Sequence, residues 1–118
     1  MQIRTSIIEI GGRPVAREKF KTLTEQMFYV LLCLREERCG IDILTWVKEL
    51  TGDRVTVGSG TLYNLLEQFQ EEDMIRETRV EGRKRSYLIT EKGQELLDRE
   101  YDRLRAQAED YRRLTGRA

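Results

Sequence analysis

Ser59-Gly60-Thr61-Leu62-Tyr63-Asn64-Leu65-Leu66-Glu67-Gln68-Phe69, inside a chain of 118 residues, decides the fold. Leu62, Leu65, Leu66 and Phe69 recur at i, i+3, i+4 and i+7, the stripe of a helix with one buried face. The opposite face carries Thr61, Asn64, Gln68 and Glu71, with Tyr63 at the edge between the two. Ser59, Thr61, Tyr63 and Asn64 put hydrogen-bonding groups at the helix entry, and no acidic side chain follows until Glu67. A helix that opens in this way can present polar side chains to base edges and its first backbone N–H groups to a phosphate.

Working outward, a second helix is expected over about Ile41 to Leu50, where Ile43, Trp46, Val47 and Leu50 repeat the same spacing and Gly52 supplies a left-handed stop. Val55 to Val57 reads as a brief first strand in the short loop that follows. A first helix starts near Thr24, a good N-cap, and is apolar on nearly all sides through Met27, Phe28, Val30, Leu31, Leu32 and Leu34, ending around Arg38 to Gly40. After the third helix, Ile75 to Val80 and Ser86 to Thr90 read as two strands of a hairpin whose tip is Glu81 to Arg85.

The last helix begins after Thr90. Leu97, Tyr101, Leu104, Ala108 and Tyr111 recur with spacings of four, three, four and three, a heptad seam with mixed charge on its flanks. Such a helix of about 22 residues extends roughly 33 Å, too far to bury its seam along its whole length on a three-helix core. Part of the seam is therefore expected to meet a second copy of the chain. The resulting class is mainly α with a small β-ribbon: a winged helix-turn-helix over residues 21–90, a dimerisation helix over 91–118, and a basic extension over 1–20. In that extension Ile7, Ile8 and Ile10 suit an edge strand, while Gly11, Gly12 and Pro14 break regularity. Two readings of it stay open, a solvated tail and an arm on DNA phosphates.

The net charge is zero, but its distribution is uneven. Residues 1–23 carry five basic and two acidic side chains, residues 24–74 four and ten, and residues 75–90 five and two. The second basic stretch centres on Arg83, Lys84 and Arg85, where a wing would lie along a DNA backbone. With no histidine, no paired acids in a cleft and no phosphate loop, nothing assembles a catalytic set, so an enzyme is not expected. Cys33 and Cys39 do not make a metal-ligand set and read as reduced cytosolic thiols. No cofactor, metal, transmembrane helix or signal peptide is expected, and the chain reads as cytoplasmic.

The sequence resembles the PadR family of bacterial transcriptional regulators. The likeness rests on Gly60-Thr61-Leu62-Tyr63 opening the third helix, and on Leu65, Leu66 and Phe69 with Glu71-Glu72-Asp73-Met74-Ile75 closing it. It rests also on Arg85-Ser86-Tyr87-Leu88-Ile89-Thr90-Glu91-Lys92-Gly93 and on Leu23-Thr24-Glu25, and so spans about residues 20–112. The chain departs from the family pattern at Cys39-Gly40-Ile41 (often His-Gly-Tyr), at Ser59 and Asn64 (often Pro), and at Asp73 (usually Gly).

The resemblance implies a repressor of an operator in double-stranded DNA, relieved by a ligand or signal. It also implies a homodimer of the subgroup with a single C-terminal helix. The residues expected to meet DNA are Ser59, Thr61, Tyr63, Asn64, Gln68, Arg83, Lys84 and Arg85. Those expected at the dimer interface are Leu97, Tyr101, Leu104, Ala108 and Tyr111. Two further classes remain: a sensor of aromatic or multidrug compounds held at the dimer interface, with Met27, Tyr29, Tyr101 and Leu104 as candidate walls, and a winged helix that binds only protein.

Overall fold

The computed structural model describes residues 8–10, 13–15 and 20–118. Thr24 caps helix α1 (Glu25–Cys33), its Oγ1 accepting the Met27 N–H at 3.2 Å. Val30, Leu31, Cys33 and Leu34 are fully buried, which makes α1 the centre of the core. The helix stops five to seven residues short of the expected end around Arg38 to Gly40. The Arg38 guanidinium donates to the Cys33 carbonyl, and the Leu34 carbonyl accepts the Ile89 N–H at 2.7 Å. Those two partners satisfy helix-end carbonyls that would otherwise lack donors.

The chain then forms a short strand, β3 (Arg38–Cys39), instead of continuing the helix. Val55 to Val57, expected as a strand, is a loop; Val55 and Val57 are buried in it without pairing. The first strand of the wing sheet is β3, which pairs antiparallel with β5 (Lys84–Ile89) through Arg38 opposite Tyr87 and Cys39 opposite Ser86. With β4 (Ile75–Glu81) the sheet runs β3-β5-β4, so the central strand is the last in sequence.

Helix α2 (Gly40–Leu50) buries Ile43 and Val47. Trp46, read as core, is half-buried, with the Arg38 guanidinium 5.2 Å from the ring centroid. Leu50, read as part of the same face, is 53% exposed. The next residue, Thr51, is buried in its stead: its Oγ1 accepts the Val55 N–H at 3.0 Å and lies 2.9 Å from the Val47 carbonyl. The loop is thereby stitched to the helix, and Gly52 leaves it with φ +58°.

Helix α3 (Ser59–Glu71) buries Leu62, Leu65, Leu66 and Phe69. It is followed by Asp73 at φ +60°, which explains why glycine suits this position; a short acidic side chain is among the few others that tolerate it. Met74 N–H returns to the Phe69 carbonyl at 2.8 Å and the chain enters β4.

Helix α4 (Glu91–Thr115) begins at Thr90, whose Oγ1 accepts the Gly93 N–H at 3.0 Å and donates to the Asp73 carbonyl at 2.6 Å. Gly93, Leu96, Leu97 and Glu100 are buried against the domain. Leu97, assigned to the dimer seam, is 3% exposed within the single chain, because the first three turns of α4 lie on α1 and β5. The uncovered part of the stripe starts at Tyr101.

Glu100 is a buried carboxylate that periodicity does not reveal. It accepts the Leu23 N–H at 3.1 Å and is gripped by the Arg103 guanidinium, so its pKa is held below the usual carboxylate range, chiefly by the Arg103 hydrogen bonds. A depressed pKa means that the unfolded chain binds more protons in the acid range. The stabilisation is thus present above the unfolded value of about 4.3 and is lost as pH falls through the lower folded value. Glu100→Gln is expected to lower the melting temperature at pH 7, and the gap to the parent is expected to narrow as pH falls from about 4.3 through the lower folded value. A gap that stays constant across that range would remove the charge from this account.

At the N-terminal end, β1 (Ile8–Ile10) pairs antiparallel with β2 (Arg13–Val15) in a two-stranded hairpin. Pro14, expected to break regularity, lies inside the second strand opposite Glu9, where a two-stranded ribbon leaves an edge that needs no donor. Ile7, Gly11, Gly12, Arg17 and Lys19, and with them most of the proposed basic arm, lie outside the described residues.

Candidate nucleic-acid interface

Two elements form the candidate surface, the N-terminal half of α3 and the turn of the β4–β5 hairpin. Packing orients the first. With Leu62, Leu65, Leu66 and Phe69 turned inward, Ser59, Gly60, Thr61, Tyr63 and Asn64 are exposed. Gly58 is the N-cap and supplies no side chain, so the Ser59, Gly60 and Thr61 N–H groups at the start of the helix are available to an outside acceptor. Gln68 is half-buried, one turn beyond Asn64, and is the least accessible of the α3 residues assigned to DNA.

The second element is set by register. Glu77 lies opposite Tyr87, but beyond a bulge at Thr78 the pairs become Arg79 with Ser86, Val80 with Arg85 and Glu81 with Lys84. An unbroken ladder would have placed Arg79 opposite Arg85, two like charges, and left a single residue to make the turn. The bulge avoids both and leaves Gly82-Arg83 as a two-residue turn, with Gly82 at the φ of +63° that a tight hairpin needs at its first central position.

The three tip cations are not equivalent. Arg85 forms an ion pair with Glu77 at 2.7 Å, whereas neither Arg83 nor Lys84 is ion-paired among the described residues.

Tyr63 links the two elements. An open groove of about 490 Å³ is walled by Tyr63 of α3, by Gly40 and Ile41 at the start of α2, and by Arg83, Lys84 and Arg85 of the wing. Gly40 has a steric role here, since a Cβ at that position would lie 3.0 Å from Tyr63 Oη. The groove also exposes Ile41, at 68%, beside Tyr63, at 56%. Sequence reasoning missed both α2 residues as part of this surface. Their signal was the Cys39-Gly40-Ile41 step, visible only as a departure from a pattern. Ser59, Thr61 and Asn64 stand on the exposed side of α3 outside this groove.

The profile of the transcriptional regulator PadR-like family matches residues 30–99, from within α1 to the third turn of α4. The chain belongs to the PadR-like family. That family is one of transcription regulators, not of enzymes.

Among solved structures, the PadR-like chain is similar to RosR of H. salinarum, at 25% identity over 75% of this chain and 76% of that one, with a TM-score of 0.57. It is similar to Bacillus subtilis PadR in complex with operator DNA, at 29% identity and a TM-score of 0.53, over 61% of this chain and 44% of that one. A PadR family regulator of Eggerthella lenta, 19% identical over 78% of this chain and 82% of that one, shares the fold with a TM-score of 0.64. No curated protein matches the chain.

The other candidate residues of this PadR-like protein fall on α1 and α4. From Tyr101 onward nearly every side chain of α4 is exposed, and Tyr101, Leu104, Ala108 and Tyr111 form an uncovered stripe in which Tyr101 is 52% and Leu104 40% exposed. Met27 and Tyr29 are half-buried on α1. Met27 Sδ accepts the Thr24 N–H at 3.5 Å, and Tyr29 Oη accepts from Arg54 at 2.9 Å, toward the loop after α2. A groove of about 550 Å³ between α1 and α4 is walled instead by Leu32, Arg35, Gln94, Leu97, Asp98 and Tyr101.

Cys33 is pushed up to about 12, first by burial, and is inert as a nucleophile. The Cys39 thiol is buried in β3 and donates to Asp42 Oδ2 at 3.2 Å.

Proposed function

We propose that this PadR-like chain is a cytoplasmic homodimer that binds an operator in duplex DNA sequence-specifically and represses transcription from it, until a ligand or signal releases it. The observation that carries the reading is the shared orientation of two chemistries. The open entry of α3 offers Ser59, Thr61 and Asn64 as base-reading side chains, while Tyr63 connects that helix to a groove edged by the cations Arg83 and Lys84, neither ion-paired among the described residues. Side chains at a helix entry read bases in the major groove, and wing cations hold the phosphates beside it. The similarity to Bacillus subtilis PadR, solved in complex with operator DNA, supports the same reading.

The dimer is argued from α4. Its last fifteen residues leave the domain, and an apolar stripe on a free helix is covered most simply by the same stripe on a second copy. Two α3 helices would then enter major grooves about one turn apart, roughly 34 Å. Among the described residues no helix is long and apolar enough to cross a membrane. A flat aromatic effector is the second reading, favoured by the α1–α4 groove: its Leu32, Leu97 and Tyr101 walls adjoin the stripe, so occupancy there would shift the angle between two copies.

The test is footprinting on the DNA upstream of the protein's own gene, with sedimentation on the same sample. Expected are protection of two half-sites about one turn apart and a particle of twice the chain mass. Asn64→Ala should cost about 1–3 kcal/mol at one base position with little change in salt dependence. A monomer without preference for any sequence over random duplex would end the reading.

A further inference from the structure

The wing carries an acid where a DNA-binding surface would be expected to carry none. We propose that Glu77 is a positioning residue that holds Arg85 folded along the sheet, so that one of the three tip cations is withheld from indiscriminate phosphate binding. The inference rests on the DNA-binding reading above. Arg85 is two residues from Tyr87 on the same face of β5, and Glu77 is the cross-strand partner of Tyr87. The carboxylate therefore reaches diagonally to the guanidinium, Glu77 Oε2 to Arg85 Nη1, at 2.7 Å. The bulge at Thr78 makes this possible, because it replaces Arg79 by Val80 opposite Arg85 and removes the competing charge.

Arg85 stands at a junction. It walls the groove of about 490 Å³ shared with Arg83 and Lys84, and also a smaller one of about 340 Å³ between the wing and α3 that contains Glu77, Glu67 and Gln70. In the second groove its neighbours are acidic; in the first they are cationic and open to an anion. Arg85 is 56% exposed and Glu77 28%, so a phosphate can compete for the guanidinium by a side-chain rotation alone, with no movement of the strands. Glu77 is thereby a threshold: contacts that pull Arg85 across count, and weak encounters do not engage it.

The experiment is anisotropy titration of a random-sequence duplex across a salt series, using the full chain and Glu77→Gln, Glu77→Asp, Arg85→Ala and Glu77→Gln/Arg85→Ala. Glu77→Gln is expected to tighten random binding about fivefold at low salt, the scale of an exposed ion pair. It should also steepen the salt slope by about 0.9 per chain, one more phosphate neutralised. Glu77→Asp keeps the charge but is a methylene too short, and should change both quantities in the same direction. In the Arg85→Ala background Glu77→Gln should change neither. Equal tightening in that background would show plain long-range repulsion and overturn the proposal; so would weaker or unchanged binding by Glu77→Gln. A parent chain that binds no duplex with salt dependence would instead sink the DNA-binding reading and this inference with it.

Discussion

Replacing Gly93 by alanine is expected to destabilise the protein by about 3 kcal/mol and to lower its melting temperature by roughly 10–20 °C. A Cβ at this position would lie 2.1 Å from the Met74 carbonyl oxygen and 2.8 Å from Ile89 Cγ1. The first neighbour is backbone and cannot rotate away. It is also engaged, accepting the Thr90 N–H at 2.9 Å, while Thr90 Oγ1 donates to the adjacent Asp73 carbonyl. Relief requires α4 to lift from the start of β4, which breaks both bonds.

The sign makes the test sharp, because alanine is intrinsically the better helix former by about 1 kcal/mol, and without the contact Gly93→Ala would stabilise. Gly60 supplies the contrast: it too is helical, no atom of the described residues lies within 4 Å of its Cβ position, and Gly60→Ala should raise stability by about 0.5–1 kcal/mol. Thermal melts of the two variants showing the same sign would refute the packing argument at Gly93.

The second large effect is on binding. Arg83→Ala/Lys84→Ala removes the two tip cations that no carboxylate among the described residues pairs with, and should weaken duplex binding on the order of a hundredfold at low salt. It should flatten the salt slope by about 1.8 per chain, from two lost phosphate contacts. The loss should be nearly the same for operator and random sequence, because phosphate contacts carry no base information. Arg85→Ala should cost less than either of the other two removed singly, since its charge is already paired with Glu77. Arg83 lies in the turn and Lys84 at the start of β5, both exposed, so the folded state of the double variant should be unaffected. An unchanged slope for the double variant would place the wing away from the DNA.

Several features were legible in the residues alone because they depend on local repetition. The stripe of Leu62, Leu65, Leu66 and Phe69 is buried as its spacing requires, and that burial by itself turns Thr61 and Asn64 outward. The hairpin appears within a residue or two of its expected ends, since β-rich runs flank a glycine turn. Less of the candidate site was legible. Arg83, Lys84 and Arg85 are equal as a run of charge, and only the register across the Thr78 bulge singles out Arg85 for the ion pair with Glu77. Gly40 and Ile41 join the surface because Tyr63 folds over them from another helix.

The sequence by itself determined the order of helices, the two-stranded ribbon, the exposed polar entry of α3 and the stripe on α4, for these follow from periods of 3.6, 2 and 3.5 residues read along one segment. The tertiary structure alone decided that Arg38–Cys39 leaves the helix to become the first strand of the sheet, that Leu97 belongs to the domain's own core, and that Glu100 is buried on the Leu23 N–H. Each of these depends on a partner more than forty residues away. The free energy of a strand edge, a core contact or a buried carboxylate is set by what lies opposite, and periodicity within a segment carries no record of it.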